Sequence, residues 1–309
     1  MKNNRTIGIL ILLITSIIWG LAFVAQDQVA DSIEPFTLNC IRCLIGALVL
    51  LPVLLIKNKI QNRPVLEKDK SKRKKLIIAS VLCGVSLCIG MNFQQFGIAL
   101  YPNDAAVSGR SGFITALYVV LVPILSLLLK KKLGINTIIS VVLATIGLYL
   151  LCFSKGLDHV YLGDIIVLIS ALGFALQILF VDKYVGEIEG VKLSLLQFVV
   201  CGVLSGILMF IFEKPSINKI IEVILPILYL GGISSGIGYT LQIIGQKFSN
   251  NPTLDSIIMS LESVFAVLGG AIILNEHLSN NELIGCIIMF LAIIISQLPK
   301  LTFEKSSRK

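Results

Sequence analysis

Charge is what this sequence has least of. Of its 309 residues only 14% are Asp, Glu, Lys or Arg, against about 25% in an ordinary soluble domain; 56% are hydrophobic, and mean hydropathy is +0.92. That shortage excludes a soluble globular chain. A GxxxxGK[ST] phosphate loop is missing as well, with no polar stretch long enough to house one, which excludes a nucleotide-driven pump. Histidine is nearly absent: His159 and His277 are the two, both in turns between apolar segments. Gly232-Ile-Ser-Ser-Gly236 matches the G-x-S-x-G pattern of serine hydrolases, but without a strand-turn-helix setting or a histidine in reach it carries no such chemistry. The chain is read as not an enzyme, and nothing in it calls for a cofactor or a metal. Its seven cysteines are odd in number and lie almost wholly in apolar segments. Cys40-x-x-Cys43 sits on one face of a hydrophobic helix with no second pair, so both are read as packing residues.

What is present is length of apolar run. Ten segments stand out, near Ile7–Val29, Pro35–Ile56, Leu76–Ala99, Ala105–Leu129, Ile135–Phe153, Leu162–Tyr184, Val191–Phe212, Ile220–Gln246, Thr253–Leu274 and Glu282–Leu298. Each is about the 20 residues a helix needs to cross roughly 30 Å of hydrocarbon. Barrel strands are about half that length and alternate in polarity. The expected fold class is therefore an all-α polytopic membrane protein of ten transmembrane helices. The first segment is followed by no small-residue cleavage site and is read as a retained helix.

The net charge of +8 does not signal nucleic acid, because the basic residues occupy the tails and alternate loops. Lys2 and Arg5 precede the first segment, nine Lys and Arg fall within 57–75, Lys130, Lys131 and Lys132 follow the fourth, and Lys300, Lys305, Arg308 and Lys309 close the chain. The intervening turns carry Asp27, Asp31, Glu34, Glu276 and Glu282 instead. The positive-inside rule puts both termini in the cytoplasm, and an even number of crossings of the cytoplasmic membrane requires that they share a side.

The two halves resemble one another. Ser16–Phe23 aligns with Ser170–Gln177 at an offset of 154, Gly90–Gly97 with Gly238–Gly245 at 148, pairing Gln94 with Gln242, and Leu129–Leu133 with Leu274–Leu278 at 145. The reading is a first five-helix repeat over 1–153, a second over 154–299 and a cytoplasmic tail at 300–309. Five spans per unit is odd, so the units are inverted, an architecture that lets two bundles rock about a central site. Gly202-x-x-x-Gly206 and Gly232-x-x-x-Gly236 fit small-residue helix contacts. The run GGISSGIGY (231–239) reads as a helix that bends or lines a cavity, or as plain packing, and Pro123 and Pro226 as kinks.

Polar side chains in hydrocarbon are costly and form the default functional set. Arg42, Arg110, Asp255 and Glu262 are the ionisable ones, among the amides of Asn39, Asn92, Gln94, Gln95, Gln177, Gln197, Gln242 and Gln246. Amides suit a polar solute and interhelical bonding alike. Arg42 and Arg110 either snorkel to the outer interface or line a pathway. Glu262 lies mid-segment, and is expected to titrate with substrate or proton. At the offset of 145 Arg110 superposes on Asp255 and Leu117 on Glu262, so Arg110 is expected to contact an anion or carboxylate in the outward half of a solute pathway. Trp19, Phe23, Phe93, Phe113, Tyr118, Phe174 and Tyr239 are candidates to wall off or stack on that solute. The pathway set is then Trp19, Arg42, Asn92, Gln94, Arg110, Phe113, Tyr118, Gln177, Tyr239, Gln242 and Glu262. A channel would need rings of like residues, and this set is scattered; a channel or lipid scramblase is the alternative.

Ile18-Trp19-Gly20, the run Arg42–Pro52, the run Gly112–Pro123, Ser260-Leu-Glu-Ser-Val-Phe265 and Leu274-Asn-Glu276, in this order, resemble the EamA family of the drug/metabolite transporter superfamily over nearly the whole chain. The resemblance implies a ten-helix carrier, often an exporter of amino acids or other small metabolites, with a central cavity built from both halves. It implies a small-molecule solute and the bilayer as partners, and leaves oligomeric state open, monomer included. Two departures stand out. Ser263 occupies a place where the family usually has proline, and Lys130–Lys132 replace an acidic residue some members have after the fourth helix. A cation at Arg110 fits the family, which often has Lys there.

Overall fold

The computed structural model describes residues 2–62, 69–102, 107–130, 133–152, 161–273 and 280–298. The described residues are helical with short connections. They comprise α1 (Lys2–Ala30), α2 (Pro35–Ile60), α3 (Lys70–Ala99), α4 (Val107–Ala116), α5 (Tyr118–Leu128), α6 (Ile135–Cys152), α7 (Leu162–Tyr184), α8 (Gly190–Phe212), α9 (Ile217–Glu222), α10 (Ile224–Leu228), a π-helical stretch Tyr229–Tyr239, α11 (Thr240–Ser249), α12 (Pro252–Met259), α13 (Glu262–Ile273) and α14 (Asn280–Gln297). Eight stretches are long and apolar enough to cross a membrane, and Ile135–Leu150 and Leu283–Ser296 are shorter apolar helices. This is a polytopic, all-helical membrane protein. His159, His277, Lys131, Lys132, Leu274–Glu276 and the whole of 153–160 lie outside the described residues.

Helix ends set the chain's reversals. Pro35 opens α2 at its first turn, where its missing N–H costs nothing. The cap is not local: Glu34 makes no side-chain cap bond, and Glu213 beyond α8 accepts from Phe36 N (2.8 Å), Thr37 N (2.7 Å) and Thr37 Oγ1 (2.7 Å) instead. Asp69 caps α3 through Ser71 N, and Asn250 turns the chain after α11 with φ 53°, a left-handed conformation asparagine tolerates. At the end where α1 begins, Lys57 pairs with Glu189 at 2.7 Å and Lys75 with Glu187.

The bundle is held by close helix contacts. α3 packs on α7 and α8, α1 on α11, the π stretch and α13, α2 on α8 and the π stretch, α4 and α5 on α7 and on α12 and α13, and α6 on α14. Small residues sit where backbones meet, as lipid-solvated helices require. A Cβ on Gly97 would lie 2.9 Å from Gly163 O, and one on Gly245 3.3 Å from Gly8 O. Gly202 and Gly206 face Cys43 and Cys40 as the small-residue spacing predicts. The second such motif is corrected: Gly231 and Gly236, not Gly232 and Gly236, lie against α2 at Gly46. In a π-helix the hydrogen bonds run i to i+5, so residues five apart share a face.

Three apolar segments expected as single helices are broken. The Ile220–Gln246 segment starts as the short α9, breaks at Val223 and passes through the π stretch. The fourth segment breaks at Leu117, and the ninth at Ser260 and Leu261. Ser263 stands just past the break in the ninth segment, and its Oγ donates to Gly112 O at 2.9 Å. The helix breaks there without the family's proline.

Candidate functional site: a polar cavity between the two halves

A cavity lies between helices of both halves, lined by Trp19, Ala22, Phe23 and Gln26 of α1, Arg42 of α2, Gln94 of α3, Thr115 and Tyr118 around the α4–α5 break, Phe174, Gln177 and Ile178 of α7, Ser234 and Tyr239 of the π stretch, Gln242 of α11 and Glu262 of α13. Two helix breaks and the end of the π stretch put three of these in position. Glu262 is the first residue of α13, Tyr118 the first of α5, and Tyr239 the last of the π stretch.

Charge in the cavity is incompletely partnered. Arg42 is 3% exposed, with Nε donating to Ser235 Oγ at 3.2 Å and Nη2 to Ser234 Oγ at 3.4 Å, while Nη1 has no partner. Glu262 is also 3% exposed, and its Oε1 has no partner. Tyr118 is in interaction range of Glu262, but its hydroxyl makes no well-formed hydrogen bond. Arg42 and Glu262 form no ion pair with each other. The serines of the G-x-S-x-G match thus serve a guanidinium.

Two amide clasps and an aromatic wall complete the lining. Gln26 Nε2 donates to Gln94 Oε1 at 2.9 Å and Gln95 Oε1 at 3.1 Å, and Gln94 Nε2 passes the chain on to Thr115 Oγ1 at 3.0 Å. In the other half Gln242 Nε2 donates to Gln177 Oε1 at 2.9 Å, and Gln177 Nε2 to Gln197 Oε1 at 3.1 Å. Trp19 stacks tilted on Tyr239 with ring centroids 4.6 Å apart, and its Nε1 donates to Ser234 O at 3.2 Å.

Of the eleven residues expected in the pathway, the cavity wall gathers Trp19, Arg42, Gln94, Tyr118, Gln177, Tyr239, Gln242 and Glu262. Asn92, Phe113 and Arg110 are not on it. Asn92 Nδ2 is spent on Cys88 O at 2.8 Å and Ser205 Oγ at 2.9 Å. Phe113 packs in the main apolar core. Phe93, a candidate aromatic, faces outward at 39% exposure. Sequence reasoning missed Gln26, Thr115 and Ser234. Gln26 was readable as an amide inside an apolar run, beside the Asp27 that suggested a turn.

Arg110 does not meet Asp255. Its Nε and Nη2 each lie 2.6 Å from an oxygen of Asp164, at the start of α7, and the guanidinium carbon lies 4.7 Å from the Tyr161 ring centroid. Asp164 also accepts from Tyr101 Oη at 2.7 Å and Tyr161 N at 2.9 Å. Burial, and then the Asp164 carboxylate, push the Tyr101 phenol up from its ordinary pKa, so it stays a proton donor. Asp255 is wholly buried near the opposite end of the bundle, beside Ser249.

Above the cavity, Phe23, Ile98 and Ala266 pack as one buried cluster with Val107 against it. Beyond them opens a second hollow at the Tyr101 end, lined by Asp27, Asp31, Tyr101, Ile98 and Val107 among others. Phe23 borders the cavity, Ile98 and Val107 the hollow, so this cluster is the apolar plug between them.

Comparison with known proteins agrees with this architecture. The sequence profile of the EamA-like transporter family matches residues 6–153 and again 161–298. An uncharacterized transporter of Archaeoglobus fulgidus is 30% identical over 93% of this chain and 84% of its own length. The uncharacterized transporter YoaV of Bacillus subtilis is 24% identical over 95% of this chain and 96% of its own. A protein of known crystal structure shares the fold, with a TM-score of 0.77 at 16% identity over 97% of this chain and 98% of that one. With a membrane bundle, a buried polar cavity and family matches spanning both halves, this chain belongs to the EamA-like transporter family.

Proposed function

We propose that this membrane transporter is a secondary active carrier that moves a small polar metabolite, such as an amino acid or related compound, across the cytoplasmic membrane by alternating access, in the direction of export. The observation that carries this reading is the pair of unsatisfied groups in one buried cavity, Arg42 Nη1 and Glu262 Oε1. Leaving a buried donor or acceptor unmade costs about 1–3 kcal/mol, more when charged. A solute with a carboxylate for Arg42 and an ammonium for Glu262, or a proton on Glu262, satisfies both. The basic residues at the end where α1 begins support cytoplasmic termini.

The repeat supports the carrier mechanism. Exchanging the first five crossings for the last five turns the α3–α7 contact into that of α11 with α1, the contact of α2 with the π stretch into α8–α3, and α1–α13 into α7–α4, all of which occur. Contacts of α2 with α8 and of α6 with α14 map onto themselves. The two profile matches divide at the same place, near residues 153–161. Close contacts shift the correspondence by one residue from the sequence alignment: Gly90 meets Phe174 as Gly238 meets Trp19, which pairs Trp19 with Phe174 at an offset of 155. Related bundles that meet at one cavity allow the Phe23 plug to open as the other side closes.

Counterflow in proteoliposomes tests the reading. Saturable exchange of labelled solute is expected, with Arg42→Lys retaining more of it than Arg42→Gln. Unsaturable flux, or equal rates in all three proteins, would indicate a channel or scramblase and overturn it.

A further inference from the structure

Buried oxygen atoms without hydrogen-bond partners occur on both sides of the turn from α11 to α12, apart from the central cavity. Asp255 and Gln246 are wholly buried, and Ser249 is 9% exposed. Both carboxylate oxygens of Asp255, Oγ of Ser249 and Oε1 of Gln246 lack a hydrogen bond. Asp255 lies beside Ser249, within electrostatic reach of Asp182 on α7 and Arg5 on α1. Gln246 and Ser249 are one turn apart on α11, and Gln246 Nε2 is fixed by Ile178 O at 3.2 Å, one turn along α7 from Asp182. The connecting turn satisfies itself, Asn251 Oδ1 accepting from Leu254 N at 3.2 Å.

Donors are short in this cluster. With Asp255 ionised, the side-chain donors of the set are the Ser249 hydroxyl and the Gln246 amide, whose Nε2 is turned to Ile178 O, fewer than the acceptors around them. Arg5 is exposed and makes no ion pair with Asp255. Unpaired carboxylate, hydroxyl and amide oxygens with no nitrogen or sulfur donor form a ligand set for a hard cation. Among the described residues no group of three or more His, Cys, Asp or Glu gathers there, which leaves the set short of the charge a divalent ion needs. One directly placed carboxylate balances one positive charge.

We infer that Asp255, Ser249 and Gln246 form a binding site for a small monovalent cation of the sodium type. Gln242, one turn before Gln246 on α11, is a wall of the central cavity. A cation there ties α11 to α12, and thereby links its occupancy to the position of a cavity helix.

Binding is tested apart from transport, by thermal unfolding of the purified protein in detergent. Chloride salts of sodium, potassium and N-methyl-D-glucamine are compared at equal ionic strength, in mildly acidic and mildly alkaline buffer. Sodium is expected to raise the apparent melting temperature by several degrees, saturably, as a ligand of the native state does. Asp255→Asn should abolish the shift, and Ser249→Ala should require at least about threefold more sodium for half of it. Arg42→Gln should keep the full shift, so failure of the carrier reading and failure of this one give different results. No sodium-specific shift in the wild type, a response to pH alone, or an undiminished shift in Ser249→Ala overturns the site, even if Asp255→Asn fails to fold.

Discussion

Removing the carboxylate of Asp164 should damage this protein more than removing the arginine it holds. Both side chains of the pair are 12% exposed, so each is largely withdrawn from water. Breaking a buried pair by deleting one partner costs about 3–5 kcal/mol, because a charge stays buried without compensation. Residual exposure puts Asp164→Ala near the lower limit, about 3 kcal/mol. In Arg110→Ala the carboxylate keeps Tyr101 Oη and Tyr161 N, and the loss should be only about 1–2 kcal/mol. At roughly 2–4 °C per kcal/mol, Asp164→Ala should melt about 6–12 °C below wild type and Arg110→Ala about 2–8 °C below. Arg110→Lys, which keeps charge without the two-pronged geometry, should fall between wild type and Arg110→Gln. The buried thiols of Cys40, Cys43, Cys83, Cys88 and Cys201 report the transition with a thiol-reactive fluorophore at one fixed scan rate. The double alanine variant should melt no lower than Asp164→Ala, since both remove the same interaction. Strictly additive losses, or Arg110→Ala as the worse single variant, would refute the ion-pair account.

Glu262→Gln should abolish transport driven by a pH gradient while leaving solute counterflow measurable, whereas unchanged gradient-driven uptake would remove Glu262 from coupling. Phe23→Ala thins the plug it forms with Ile98 and Ala266 and should raise uncoupled solute leak through reconstituted vesicles; a leak equal to wild type would put the barrier elsewhere. Gly97→Val sets its Cβ 2.4 Å from Val167 Cγ2 and 2.9 Å from Gly163 O, and overpacking of that kind costs about 1–3 kcal/mol or more, read as a lower melting temperature and yield. Gly186→Ala is the control: nothing lies within 4 Å of its added Cβ, so its melting temperature should stay at the wild-type value.

Much of the cavity was legible because burying a polar group in hydrocarbon is costly wherever it occurs. Arg42, Glu262 and the glutamines announce themselves in apolar runs, and Arg42, Gln94, Gln177, Gln242 and Glu262, so chosen, share one cavity wall. Arg110 was equally conspicuous, but its role was not. The sequence pairs it with Asp255 through the repeat, while its partner Asp164 belongs to the start of another helix, 54 residues away. Under the proposed inversion, equivalent positions fall at opposite ends of the bundle, so alignment in the repeat is no guide to contact.

Composition and periodicity alone determined that this chain is a helical membrane protein. Backbone groups in lipid must be satisfied within the segment, and apolar runs of that length have few other solutions. Where the helices break was decided by tertiary structure. The π stretch lets Gly231 and Gly236 approach α2, and the break before Glu262 occurs where Ser263 stands in place of proline. The cap of α2 likewise comes from Glu213, remote in sequence. Such choices depend on which surfaces meet after the bundle closes, and a local pattern of side chains carries no record of the neighbour that will satisfy it.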